Sequence, residues 1–130
     1  MKFESATPNL IVSDIERSTA FYRDVLGFEQ LRTVPDKAPF VFVWMKQDDV
    51  NVFLNVPQPA KEGSPVSLSK AVGGTNTIYI KLNGIDELAA RVQQHGVIPA
   101  IPMHKEFYGM KEFAVHDPDG YLLIFGEPVQ

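Results

Sequence analysis

The chain is predicted to be an α+β fold of two β-α-β-β-β modules that form one curved mixed sheet, with a helix on the outer side of each module. Three observations predict it: a repeat of strand, polar turn and amphipathic helix; a glycine closing each helix; and three strand-like runs after each helix. The repeat shows when Leu10-Ile11-Val12-Ser13-Asp14-Ile15 is set beside Ile80-Lys81-Leu82-Asn83-Gly84-Ile85. At 130 residues the chain has the length of one domain. The expected organisation is a single domain, 1–130, with modules 1–56 and 75–130 joined by a linker at 57–74.

The elements follow in order. After the first strand, Ile15, Ser18 or Thr19, Tyr22 and Val25-Leu26 recur at helical spacing. Ser13 with Glu16 reads as a capping box, and Gly27 ends the helix where a left-handed residue costs least. Phe28–Thr33, Phe40–Met45 and Val50–Val56 read as strands, with Asp48-Asp49 as a hairpin turn. The segment 57–74 is rich in Pro, Gly and Ser, longer than a typical connection, and a candidate lid. In the second module Ile85, Leu88, Ala89 and Val92 mark the helix, and Gly96 closes it. Val97–Met103, Met110–His116 and Tyr121–Phe125 are its strands, and Asp117-Pro118-Asp119-Gly120 is the matching turn.

Composition removes several function classes. The absence of cysteine excludes a disulfide scaffold, thiol catalysis and iron–sulfur chemistry. A net charge of −4 argues against nucleic-acid binding. The N-terminus lacks the apolar run of a signal peptide, and the longest apolar stretch falls far short of the roughly 20 residues that span a bilayer. A cytoplasmic protein with no membrane partner is expected. No Ser-His-Asp arrangement, phosphate loop or dinucleotide fingerprint is present.

Two such modules, with Asp14-Ile15-Glu16-Arg17-Ser18-Thr19-Ala20-Phe21-Tyr22-Arg23-Asp24-Val25-Leu26-Gly27-Phe28 and Phe113-Ala114-Val115-His116-Asp117-Pro118-Asp119-Gly120, resemble the vicinal oxygen chelate superfamily of glyoxalases, bleomycin-resistance proteins and dioxygenases. That resemblance locates the metal ligands of its metal-dependent members at Thr7, at Thr77 (Asn76 if the alignment slips by one) and at Ile124. Two hydroxyls and an alkyl side chain are poor ligands for a divalent ion, so no metal and no cofactor are expected. Ser5-Ala6-Thr7-Pro8, Asp48-Asp49-Val50-Asn51-Val52-Phe53, Gly84-Ile85-Asp86-Glu87-Leu88 and Lys111-Glu112-Phe113-Ala114-Val115 are most similar to bleomycin-resistance proteins. The resemblance implies a homodimer that exchanges its N-terminal strand at Pro8 and holds a drug in grooves at the subunit interface. The chain departs from that group in its longer linker, and Tyr108 stands near where a tryptophan is expected.

If Thr7, Thr77 and Ile124 face the concave side, strand alternation brings Asn9, Tyr79 and Leu122 there too. The repeat offset carries Ile124 onto Phe53, with Asn51 and Asn55 beside it, and pairs Phe42 with Phe113 and Trp44 with Val115. The expected ligand groove is therefore Phe42, Asn51, Phe53, Tyr79 and Tyr108, floored by Phe113 and Ile124, and it holds no catalytic group. Phe21 and Tyr22 are assigned to the core. His104 with Glu106, and Glu112 with His116, form two candidate ligand pairs, but neither has a third partner at a suitable spacing. Glu127 is expected on the face opposite Ile124. The function expected is metal-free sequestration of an aromatic, cationic drug or metabolite; the alternative is a glyoxalase- or dioxygenase-type enzyme with atypical metal ligands.

Overall fold

A computed structural model describes residues 1–2, 4–57 and 76–130; the expected linker, apart from Pro57, lies outside them. β1 (Asn9–Ile11) leads into α1 (Ile15–Ala20), a π-helical turn (Phe21–Val25), β2 (Glu29–Val34), β3 (Phe42–Gln47) and β4 (Val50–Asn55). The second module repeats the order with β5 (Thr77–Lys81), α2 (Ile85–Gln94), β6 (Ile101–Lys105), β7 (Met110–His116) and β8 (Leu122–Pro128). The predicted two-module α+β fold is thus observed. Its curved mixed sheet is realised as two four-stranded sheets, ordered β1-β4-β3-β2 and β5-β8-β7-β6. In each sheet the first strand runs parallel to the last, and the other neighbours are antiparallel.

Alternation along the central strands divides each sheet into two faces. Val43, Met45, Val52 and Leu54 are fully buried on the side where α1 packs; Phe113, Val115, Leu123 and Phe125 are their counterparts under α2. Both sets join one apolar cluster with Tyr22, Phe28, Ile80, Ile85 and Val92. Each such side chain contributes about 1.5–3 kcal/mol of burial free energy.

The start of α1 differs from expectation. Asp14 is the N-cap, its carboxylate accepting from the Arg17 N–H at 3.1 Å. Ser13 instead turns to the second module, donating its hydroxyl to Asp119 Oδ1 at 2.5 Å. A long-range charge-assisted bond has displaced the local capping box. The same seam includes the Tyr22 hydroxyl, which donates to buried Asp117 at 2.9 Å, and the Tyr121 hydroxyl, which donates to the Ile11 carbonyl at 2.9 Å. These bonds fix the two modules relative to each other on the helix side.

The turns of the two modules differ by one residue. Lys46 pairs with Asn51 around the first turn, and His116 pairs with Leu122 around the second, which is one residue longer. A single-residue slip exchanges the faces of a strand. Phe42, opposite Asn55, therefore corresponds to Glu112, opposite Gly126, and Trp44 corresponds to Ala114. The expected equivalence of Phe42 with Phe113 and of Trp44 with Val115 is corrected accordingly. Phe113 does not floor a groove: it is 1% exposed and packs on Phe125 in the core, with ring centroids 5.3 Å apart.

Candidate functional site

The face of the first sheet turned away from α1 is aromatic. Trp44 lies directly opposite Phe53, and Phe42 opposite Asn55. Phe53 packs against both neighbouring rings, 5.2 Å from Phe42 and 5.7 Å from Trp44 between centroids. The indole N–H donates to Asn51 Oδ1 at 2.8 Å, which fixes the Trp44 ring. Asn55 donates to the Asn9 side chain across the β1–β4 pair. Phe42, Trp44, Asn51, Phe53 and Asn55 are all half-buried, so this is an exposed aromatic surface bordered by amides. Arg32 stands opposite Trp44, and Lys46 opposite Asn51, adding cations to its rim.

The corresponding face of the second sheet is anionic. Glu112, only 4% exposed, lies mid-strand in β7. Its Oε2 accepts from the Tyr79 hydroxyl at 2.6 Å and from the Tyr108 hydroxyl at 2.7 Å. Partial desolvation, then the bond to Glu112, pushes Tyr79 up to about 12. For Tyr108 the bond to Glu112 is the larger cause of a rise that also reaches about 12. Both phenols are therefore neutral donors at physiological pH. Gly126 makes the arrangement possible, because a Cβ there would lie 2.1 Å from the Tyr79 hydroxyl oxygen. Glycine at the position opposite Glu112 leaves room for the Tyr79 ring to cross β8.

Beside Glu112, the β6–β7 register sets His104 directly opposite. His104 Nδ1 is 2.9 Å from the Pro102 carbonyl, an acceptor only, so Nδ1 carries a proton. Nε2 lies 3.0 Å from Glu106 Oε1 and 4.0 Å from Glu112 Oε1. The Pro102 carbonyl, and after it Glu106, raises the His104 pKa. Sequence spacing gave His104–Glu106 and Glu112–His116 as separate pairs. The register instead unites His104, Glu106 and Glu112, with ligand atoms within 4.8 Å of one another. The signals that could have singled out Glu112 are a carboxylate inside an apolar strand and the extra residue in the following turn.

The expected site residues therefore fall into two groups. Phe42, Asn51 and Phe53 come together on the first sheet, while Tyr79, Tyr108 and Ile124 share the second sheet's face with Glu112. Among the described residues no hydrogen bond joins the two faces. Thr7, Thr77 and Ile124, where the superfamily's metal-dependent members carry ligands, do not fit an ion: Ile124 offers no donor atom, and Thr77 is exposed. Glu127 lies on the helix side, accepting from the Gly84 and Ile85 N–H groups at 3.0 and 3.1 Å. Those two bonds hold its carboxyl below the usual glutamate value. A cavity of about 560 Å³ also opens on the helix side, between Gly27, Phe28 and Val50 of one module and Lys81, Gly84 and Arg91 of the other. Arg91 there is already engaged by the Val25 and Asp24 carbonyls, so the cavity reads as a seam between modules.

Comparison with known proteins agrees with this architecture. Bleomycin resistance proteins of Geobacillus stearothermophilus and of Staphylococcus aureus (strain MRSA252) are each 27% identical over 130 residues, covering 95% of this chain and 96% of theirs. Among solved structures, TioX from Micromonospora sp. ML1 superposes with a TM-score of 0.78 at 20% identity, covering 98% of this chain and 100% of that one. Lactoylglutathione lyase from Agrobacterium tumefaciens gives 0.73 at 22%, covering 98% and 95%. At these identities the structural matches speak for the fold alone. Residues 5–125 match the sequence profile of the Glyoxalase/Bleomycin resistance protein/Dioxygenase superfamily, and the chain belongs to that superfamily.

Proposed function

We propose that the protein is a cytoplasmic binder that sequesters a planar, cationic organic molecule without a metal at the superfamily's ligand positions. The observation that carries this is the contrast between the faces: a half-buried Phe42–Phe53–Trp44 cluster on one, and the buried Glu112 carboxylate on the other. The rings offer stacking surface to a flat heterocycle. Glu112, oriented by two phenol donors, offers a carboxylate partner to a cationic group.

The groove is proposed to form in a homodimer, with the aromatic face of one copy meeting the Glu112 face of the other. Arg32 and Lys46 on the first face and Glu106 and Glu112 on the second are of opposite sign, which favours that pairing. Val34, Tyr108 and Ile101, exposed near these faces, supply apolar area for a partner to cover. Pro8 accepts from the Phe53 N–H at 2.9 Å, so an exchanged segment would consist of the residues before it.

The similarity to proteins named for bleomycin resistance makes bleomycin the first ligand to test. Calorimetry is expected to show binding to the parent, weakened by about 1–2 kcal/mol or more in Phe42→Ala and Phe53→Ala. His95→Ala, at the C-terminus of α2, should leave the affinity unchanged. Equal affinity in the parent and both phenylalanine variants would overturn the groove.

A further inference from the structure

We propose that His104, Glu106 and Glu112 form a binding site for one first-row divalent transition ion such as zinc, at a place in the fold unrelated to Thr7, Thr77 and Ile124. The three residues lie on β6, just after it and on β7, and their ligand atoms come within 4.8 Å of one another. One imidazole nitrogen with two carboxylates is a donor set for zinc, manganese or iron rather than for calcium or magnesium, which favour oxygen alone.

The surroundings orient each ligand. The Pro102 carbonyl takes the Nδ1 proton of His104, so Nε2 is the nitrogen aimed at both carboxylates. A ring nitrogen held in this way is the usual outer support of a metal-bound histidine. Glu112 is held in place from the other side. Its side chain is 5% exposed, and both tyrosine hydroxyls are spent on Oε2. Its Oε1 faces the His104 ring, 4.0 Å from Nε2. Two carboxylates converging on one imidazole nitrogen suit a cation between them. Lys111, the adjacent cation on β7, is turned away to Asp86 at 2.7 Å.

The inference does not rest on drug sequestration, since zinc can be titrated with no organic ligand present. Full-length protein stripped with a chelator is dialysed against micromolar zinc chloride, and bound zinc is counted per chain. One zinc per chain is expected in the parent. His104→Gln and Glu106→Gln, both at half-exposed positions that tolerate replacement, should each weaken binding at least tenfold, as should Glu112→Gln. His116→Gln and His95→Gln should bind as the parent does, with circular dichroism confirming that every variant is folded. Substoichiometric zinc in the parent, or parental affinity in folded His104→Gln, overturns the proposal.

Discussion

The two modules share a backbone and differ on the face turned away from the helices. On the helix side their residues are interchangeable in kind: Val43, Met45, Val52 and Leu54 in one, Phe113, Val115, Leu123 and Phe125 in the other. On the opposite face, matched positions carry unlike chemistry. Phe42 answers to Glu112, Trp44 to Ala114, Asn55 to Gly126 and Phe53 to Ile124. The core constrains each module to bury an apolar face under its helix, so divergence collects where no helix packs. One module became an aromatic platform and the other a carboxylate held by phenols.

The largest expected effect separates the charge from the rings. Glu112→Gln keeps the shape and the tyrosine contacts but removes the charge. It should weaken binding of a cationic aromatic ligand by about 2–5 kcal/mol while sparing a neutral analogue, measured by calorimetry. Phe42→Ala should weaken both ligands alike. Equal losses for charged and neutral ligands in Glu112→Gln would erase the distinction between the faces.

A second variant tests what holds the modules together. Tyr22→Phe leaves buried Asp117 with only its backbone donors, the N–H groups of Asp119 and Tyr121 at 3.0 and 2.9 Å. Chemical denaturation should show a loss of about 1–3 kcal/mol. Burial and the adjacent Asp117 both raise the Tyr22 pKa, so the phenol remains a donor throughout the working pH range.

The smallest effect contrasts the helix starts. Asp14 caps α1 from its own module's turn, whereas α2 begins after Gly84, which has no side chain, and borrows Glu127 from β8. The folded-state pKa of Glu127 is depressed, so its contribution is present above the unfolded glutamate value and is lost as pH falls through the lower folded value. Glu127→Gln should therefore lower the melting temperature at neutral pH, with the difference from the parent closing in acid. A pH-independent difference would assign the effect to shape instead of charge.

The repeat, both helices and the order of strands were legible because amphipathic spacing and closing glycines are local signals. Gly27 and Gly96 do adopt positive φ, at 82° and 73°. Strand β6 begins at Ile101, well after the expected Val97, because the residues that follow the His95–Gly96 turn stay outside the strand ladder until Ile101. The aromatic face was also legible, since its residues lie on one hairpin whose two-residue turn sets the register. The anionic face was not. It depends on one extra residue in the turn between β7 and β8, which moved Phe113 into the core and put Glu112 on the opposite face, beside His104. Long-range register, not residue type, decided which side chains met.

The central claim is that these unlike faces form one groove across two copies of the chain. Mixing Phe42→Ala and Glu112→Gln proteins and allowing subunits to exchange tests it most directly. Each mixed dimer would hold one groove with Phe42 from one chain and Glu112 from the other, so about one groove in four should regain parental affinity for bleomycin. Calorimetry of the exchanged mixture should detect that tight fraction, absent from either variant alone. A mixture that binds only as the weighted sum of the two variants would contradict a groove shared between copies.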